Sequence, residues 1–430
     1  MVNSEPLAVT LTHPTLLAGS PFTFSPDTPP GWYDQGDGSG PRSHPGEGSF
    51  YTQPGDYTLT FYAEDGREVK LPLSVGGAPA FTTNRKCVVL STNDLRRLGF
   101  GGTDNGVGCA RAVDGDRLYF LADVESDDNW KTWESNFVRL RVAEGGPLTA
   151  GTVTTARVQN SPFRSPDYLD AGPVVRYGER LWMLALSGKN LPGTEGFHGG
   201  LELCYSDDEG LTWSYAGTAL AQPFTFEDHG DYFRAKGRTN DAANMATGML
   251  LIADADGDGR DYLYAYFHQA ESGGILNSLA VARANVAELT AAVAQKEPVA
   301  PLWRKRRGGA FVGPHDGLAD VLLSCGGWPS VIWCVPLRRY LLFTAAPPSG
   351  LGSTLFYLSS SQDGLTWSAP ALIYAEQRVG WFAGALTFDA PDGYVGSEFD
   401  VFSGPCWHGS LDGSKVDSAH EVHGVRVAMA

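Results

Sequence analysis

Basic residues are scarce in this chain: 32 Lys and Arg stand against 49 Asp and Glu among 430 residues, a formal charge of −17. Such a surface repels phosphate backbones and anionic headgroups, which argues against nucleic acid and membrane as partners. Charged residues of both signs make up only 19% of the chain, too few for a disordered chain or a coiled coil. No run approaches the roughly 20 consecutive apolar residues of a membrane span. The opening Met-Val-Asn-Ser-Glu-Pro has no basic stretch followed by an apolar one, so no signal peptide is read there. The six cysteines (Cys87, Cys109, Cys204, Cys325, Cys334, Cys406) are scattered, with no CxxC pair. That excludes a disulfide scaffold and a paired zinc module. They read as buried small apolar residues, with a bridge from Cys325 to Cys334 across a hairpin left open.

Glycine and aromatic residues are plentiful, with 53 Gly, 11 Trp, 17 Tyr and 21 Phe. That turn-rich, ring-rich mix indicates an all-β protein. Residues 1–78 read as a separate module. The alternating runs Tyr57-Thr-Leu-Thr-Phe-Tyr62 and Val69-Lys-Leu-Pro-Leu-Ser-Val75 flank the turn Glu64-Asp-Gly66, a hairpin signal. The length suits a small immunoglobulin-like β-sandwich, although no Cys-Trp-Cys pattern is present. Gly76-Gly-Ala-Pro79 is the expected linker.

Residues 79–430 repeat. Ser126-Asp-Asp-Asn-Trp-Lys-Thr-Trp133, Ser206-Asp-Asp-Glu-Gly-Leu-Thr-Trp213 and Ser360-Ser-Gln-Asp-Gly-Leu-Thr-Trp367 share one turn grammar. Their starts lie about 80 and about 154 residues apart, which implies a unit of about 78 residues with one copy lacking its turn. Apolar runs precede the turns at a similar pitch: Leu118–Ala122, Leu181–Leu186, Tyr262–Phe267 and Tyr340–Thr344. About 4.5 such units fit the remaining length, so a five-bladed β-propeller with one shortened blade is expected. One helix is expected, over Val286–Lys296.

The turn resembles the Asp box of sialidases and other propeller glycosidases; Ser206–Trp213 matches it fully, and at 360–367 the acid is shifted to Asp363. Its residues serve folding: Ser and Asp side chains bond the turn amides, Gly permits positive φ, and Trp packs on the blade edge. Gly102-Thr-Asp-Asn-Gly106 and, more loosely, Phe120-Leu-Ala-Asp-Val124 resemble the paired motifs of a bacterial propeller family whose characterised members are endo-D-arabinanases. That resemblance implies Asp104 and Asp123 as catalytic carboxylates and the arabinan of mycobacterial arabinogalactan or lipoarabinomannan as substrate. It also implies a secreted or cell-envelope location.

Read on their own, the same residues suit glycoside hydrolysis, which needs one acid to protonate the leaving oxygen and one carboxylate to activate water or attack the anomeric carbon. Asp104 also suits an Asx-turn cap, and Asp123 a strand-end turn. Asp170 is a third candidate, placed to orient substrate or tune a neighbour. Trp328 and Trp381 offer platforms for sugar faces; His229, His315 and Glu398 are further candidates for the pocket. Asp254, Asp256 and Asp258 occupy positions 1, 3 and 5 of a calcium-type loop, but Ala265 stands where the bidentate Glu belongs. A structural calcium or a solvated hairpin turn both fit, and no cofactor is required for the reaction. Arg304-Lys-Arg-Arg307 reads as a solvated basic loop. A monomer acting on a polysaccharide is expected. Another propeller glycosidase (acting on L-arabinan or fructan, or sialidase-like) and a non-catalytic carbohydrate-binding propeller are the competing readings.

Overall fold

The computed structural model describes residues 9–11, 16–17, 21–22, 24–26, 31–38, 40–44, 49–50, 55–76, 81–83, 87–90, 92–97, 103–123, 136–144, 148–164, 167–190, 197–222, 226–227, 247–252, 256–268, 279–323, 327–335, 337–346, 354–376, 379–386, 394–395, 398–407 and 422–429. Strands dominate. Near the N-terminus, Leu16–Leu17, Glu68–Gly76, Gly55–Ala63, Gly31–Asp34 and Arg42–His44 form one sheet in that order. Its central hairpin turns where the sequence indicates, with the Arg67 amide donating to Asp65 Oδ1 at 3.1 Å. Alternation puts Leu59, Phe61, Leu73 and Val75 on one face, where they pack with Tyr33.

Among the described residues five further groups of strands follow, here called sheets although the first two join edge to edge into one nine-stranded sheet, and each is begun by a leading strand that the next strand pairs in antiparallel order. The leading strand of the first is Thr103–Arg111. In the second it is split into Tyr168–Asp170 and Val174–Tyr177, both paired with Arg180–Asn190. Thr247–Ile252, Gly327–Cys334 and Val379–Leu386 lead the third, fourth and fifth. The leading strands contact one another in a closed cycle: first with second, second with third, third with fourth, fourth with fifth, and fifth with first. In the fifth sheet Glu398–Trp407 and Val422–Met429 follow, and the outer positions are filled from far upstream by Phe81–Thr83 and Cys87–Leu90.

Among the described residues the first four sheets are apolar on both faces, so the cores lie between sheets. Phe120, Phe137, Met183 and Trp213 fill the space between first and second. Trp182, Leu184, Phe267 and Trp303 fill the next, then Tyr266, Val331, Leu342 and Trp367, then Ile332, Phe343, Leu358 and Val427. Full burial of each such side chain contributes about 1.5–3 kcal/mol. The helix Val286–Gln295 joins the second of these cores through Val286, Leu289 and Ala292. Asn285 caps it by accepting from the Glu288 amide at 3.0 Å.

The Ser206 turn is built as its side chains dictate. Ser206 Oγ accepts from the Gly210 amide at 2.8 Å, and Asp208 Oδ1 accepts from the Thr212 amide at 2.9 Å. Trp213 then crosses to the preceding sheet, edge-on to Phe120 with centroids 5.2 Å apart. The second turn differs from its sequence alignment: Ser361, not Ser360, accepts from the Gly364 amide at 2.9 Å, with Asp363 bonding the Thr366 amide at 2.7 Å. Trp367 again reaches the preceding sheet, 5.8 Å from Tyr266. These tryptophans therefore tie neighbouring sheets together, where a packing role at one blade's edge was expected. Ser126–Trp133 lies outside the described residues, as does Cys325, the first member of the expected Cys325–Cys334 bridge.

Candidate active site

Antiparallel pairing places the N-terminal end of each leading strand beside the C-terminal end of the second strand. In the first sheet Thr103 pairs with Asp123 and Asp104 with Ala122, so the two acids hold diagonal positions at one end of a hairpin. In the second sheet Asp170 pairs with Leu186 and is buried. The outer strands of these two sheets pair in parallel, Val158 with Trp213 and Gln159 with Ser214. Their leading strands consequently run the same way, and Asp104, Asp123 and Asp170 share one end. Trp328 and Trp381 hold the corresponding N-terminal positions of the fourth and fifth leading strands.

Several ladders are irregular at this end. Register shifts between Asp104 and Gly108 and between Gly327 and Ser330, and the second leading strand breaks at residues 171–173. Such interruptions re-aim side chains and free backbone groups from the sheet. Glycine lets the strands come together there. A Cβ on Gly108 would strike the Gly172 carbonyl, and one on Gly172 would strike the Leu184 carbonyl.

At this end the hairpin of the second sheet runs on through Lys189 paired with His198 and Asn190 paired with Phe197. His198 is half-buried beside Phe226, with ring centroids 5.9 Å apart. Desolvation, reinforced by Lys189, lowers its pKa, so the imidazole is held toward its neutral form. Deeper in the same sheet Glu202 is buried and accepts from Ser187 Oγ and Tyr215 Oη, both at 2.8 Å. Burial raises its pKa against those hydrogen bonds. The sequence signal for Glu202 is a lone acid in the apolar run Leu201-Glu-Leu-Cys204; for His198 it is only the flanking glycines.

Other expected residues are not brought here. His315 follows Ala310–Gly313, the outermost strand of the third sheet, and its carbonyl accepts from the Ala221 amide at 3.1 Å. Glu398 pairs with Ala428 and begins the second strand of its sheet, beside the C-terminal end of the leading strand, where Asp400 pairs with Leu386. That is the opposite end from the one Trp381 holds.

Two of the expected calcium ligands are engaged by protein donors. Asp256 is held by Arg283 through both oxygens at 2.9 and 2.5 Å, and Asp258 accepts from the Arg260 amide and from Tyr262 Oη. Among the described residues no three His, Cys, Asp or Glu side chains are grouped to hold a metal ion. Asp254 and His229 lie outside the described residues. The basic run is a strand, not a solvated loop. Lys305 within it is fully buried, donating to the Ala221 and Gly317 carbonyls at 2.9 and 2.7 Å.

No protein-family model matches this chain, and no curated protein does. Solved structures that are similar include a family 117 glycoside hydrolase of the marine bacterium Zobellia galactanivorans, at 11% identity and a TM-score of 0.47 over 82% of this chain and 91% of that one. An exo-β-1,3-galactanase of Phanerochaete chrysosporium aligns at 12% identity and a TM-score of 0.43, over 79% of this chain and 64% of that one. A β-fructofuranosidase of Bombyx mori aligns at 9% and 0.40, over 80% and 61%.

Proposed function

We propose that the chain is a glycoside hydrolase on a five-bladed β-propeller preceded by a small β-sandwich, and that it cleaves a furanose polysaccharide, D-arabinan, from within. The observation that carries this reading is that Asp104, Asp123 and Asp170 all stand at the same end of two adjacent sheets. Hydrolysis of a glycosidic bond asks for a carboxylic acid to protonate the leaving oxygen and a second carboxylate to activate water or attack the anomeric carbon. Asp104 and Asp123 take these two roles, and the buried Asp170 orients the sugar or sets the charge its neighbours feel. Trp328 and Trp381 supply apolar faces on which furanose rings rest. The choice of D-arabinan follows the likeness of residues 102–106 and 120–124 to the endo-D-arabinanase motifs.

Reducing-end release from mycobacterial arabinogalactan tests the reading with wild type, Asp104→Asn and Asp123→Asn. Release by the wild type, abolished in either variant with the fold intact, is the expected result. No release by the wild type removes the substrate, and release that survives both substitutions removes the site.

A further inference from the structure

The N-terminal sheet has one face in its core, with Tyr33, Leu59 and Phe61 buried, and the other turned to solvent. On the solvent face Trp32 pairs directly with Tyr62 across adjacent strands, and Tyr62 with Glu68 on the next. Trp32 is 57% exposed and Tyr62 39%, two large rings left in water side by side. Two residues along, Asp34, Thr60 and Lys70 form a second row on the same side of the sheet, in which Thr60 is buried, Asp34 half-buried and Lys70 exposed. Paired strands hold such residues about 5 Å apart, so the rings make one shallow platform with polar groups along its edge.

We propose that this face binds a neutral polysaccharide, separately from the leading-strand site. The choice of ligand rests on the reading of the chain as a polysaccharide hydrolase; the platform itself does not. Aromatic faces stack against the C–H faces of sugar rings, and an exposed pair of rings on a flat sheet suits two consecutive sugars of a chain. The bordering groups match hydroxyls, which both donate and accept. Asp34 and Glu68 accept, and Lys70 donates. The charge on Lys70 is already balanced by Glu68 at 2.6 Å, so the platform has no net cation to draw a polyanion. The protein's charge of −17 disfavours one further. A neutral, hydroxyl-rich ligand is the complement of such a face.

Affinity electrophoresis of the full chain in native gels containing mycobacterial arabinogalactan, L-arabinan or inulin tests the proposal. Wild type, Trp32→Ala, Tyr62→Ala, Trp32→Tyr and Asp104→Asn are run in parallel, with sedimentation velocity on each. Retardation of the wild type by at least one of these polysaccharides is expected. Trp32→Ala and Tyr62→Ala each weaken it about tenfold, the scale of one lost stacking contact. Trp32→Tyr keeps most of it, and Asp104→Asn is retarded like the wild type. Unretarded wild type on all three polysaccharides overturns the proposal. So does unchanged retardation of both alanine variants, or a change in oligomeric state on Trp32→Ala, which would make the face a self-association surface. Retention without hydrolysis would leave the platform standing and remove only the catalytic reading.

Discussion

Lys305 offers a quantitative test of how the second and third sheets are joined. Its amine is fully buried and donates to the Ala221 and Gly317 carbonyls. Desolvation pushes its pKa from the ordinary 10.5 down to about 8, with Asp316 acting weakly the other way. The folded state therefore disfavours the charged form. Below pH 8 the amine is protonated in both states, and burying its charge costs about 3 kcal/mol of stability. Between pH 8 and pH 10.5 the unfolded chain holds the proton and the folded chain does not, so stability rises with pH. At pH 9.5 about 1 kcal/mol of the cost remains, a gain of about 2 kcal/mol over pH 7. Lys305→Met isolates this gain, because the lost hydrogen bonds to Ala221 and Gly317 do not titrate and every other group cancels. Urea unfolding of both proteins at pH 7 and pH 9.5 is the assay. The wild-type free energy, less that of the variant, should increase by about 2 kcal/mol over that interval. A difference that is flat or falls would show that the amine is not confined as described.

Ser206→Ala removes the hydroxyl that accepts from the Gly210 amide and bonds Asp208; a loss of about 2 kcal/mol in urea unfolding is expected from a buried donor left unmet. Glu202 is held toward its protonated form by burial, so its contribution to stability is full at low pH and is lost as pH rises through its raised folded value. The stability of the wild type relative to Glu202→Gln should accordingly decline from pH 4 to pH 8 in matched denaturation curves. His315→Ala, on the outer edge of the third sheet, should leave kcat and KM for polysaccharide hydrolysis within about twofold of wild type, since an outer-edge side chain touches no reacting atom; a larger change would return the histidine to the site.

What the sequence announces is local. The helix Val286–Gln295 carries its apolar spacing in ten residues with its cap, Asn285, directly before them, and the Ser206 turn carries all its bonding groups within eight. The second strands read clearly because their apolar runs are buried on both faces. Asp104, Asp123 and Asp170 stand out in the sequence only as acids near strand ends, and what the structure adds is that these strand ends lie at one end of two neighbouring sheets. Register was not legible. Whether Glu398 stands at the start or the end of its sheet depends on which strand it joins, and no neighbouring residue states that. His315 was misplaced because an added outer strand, Ala310–Gly313, extends the third sheet before the fourth begins. Asp256 resembles a calcium ligand in spacing alone; Arg283, on the third strand of that sheet, already neutralises it.

The pairing of Phe81 with Met429 and of Cys87 with Gly424 has a kinetic consequence. An early segment must keep its strand edge uncommitted while all the intervening sheets are synthesised, since its partner leaves the ribosome after them. Folding on the ribosome can proceed sheet by sheet from the first, but the last join is made between the most distant parts of the repeat region, the kind of contact that slows folding most. Until then Phe81–Thr83 and Cys87–Leu90 are bare edges open to pairing with another chain. Crowded expression should therefore favour misassembly through these two segments, and dilution or slowed translation should favour the closed ring.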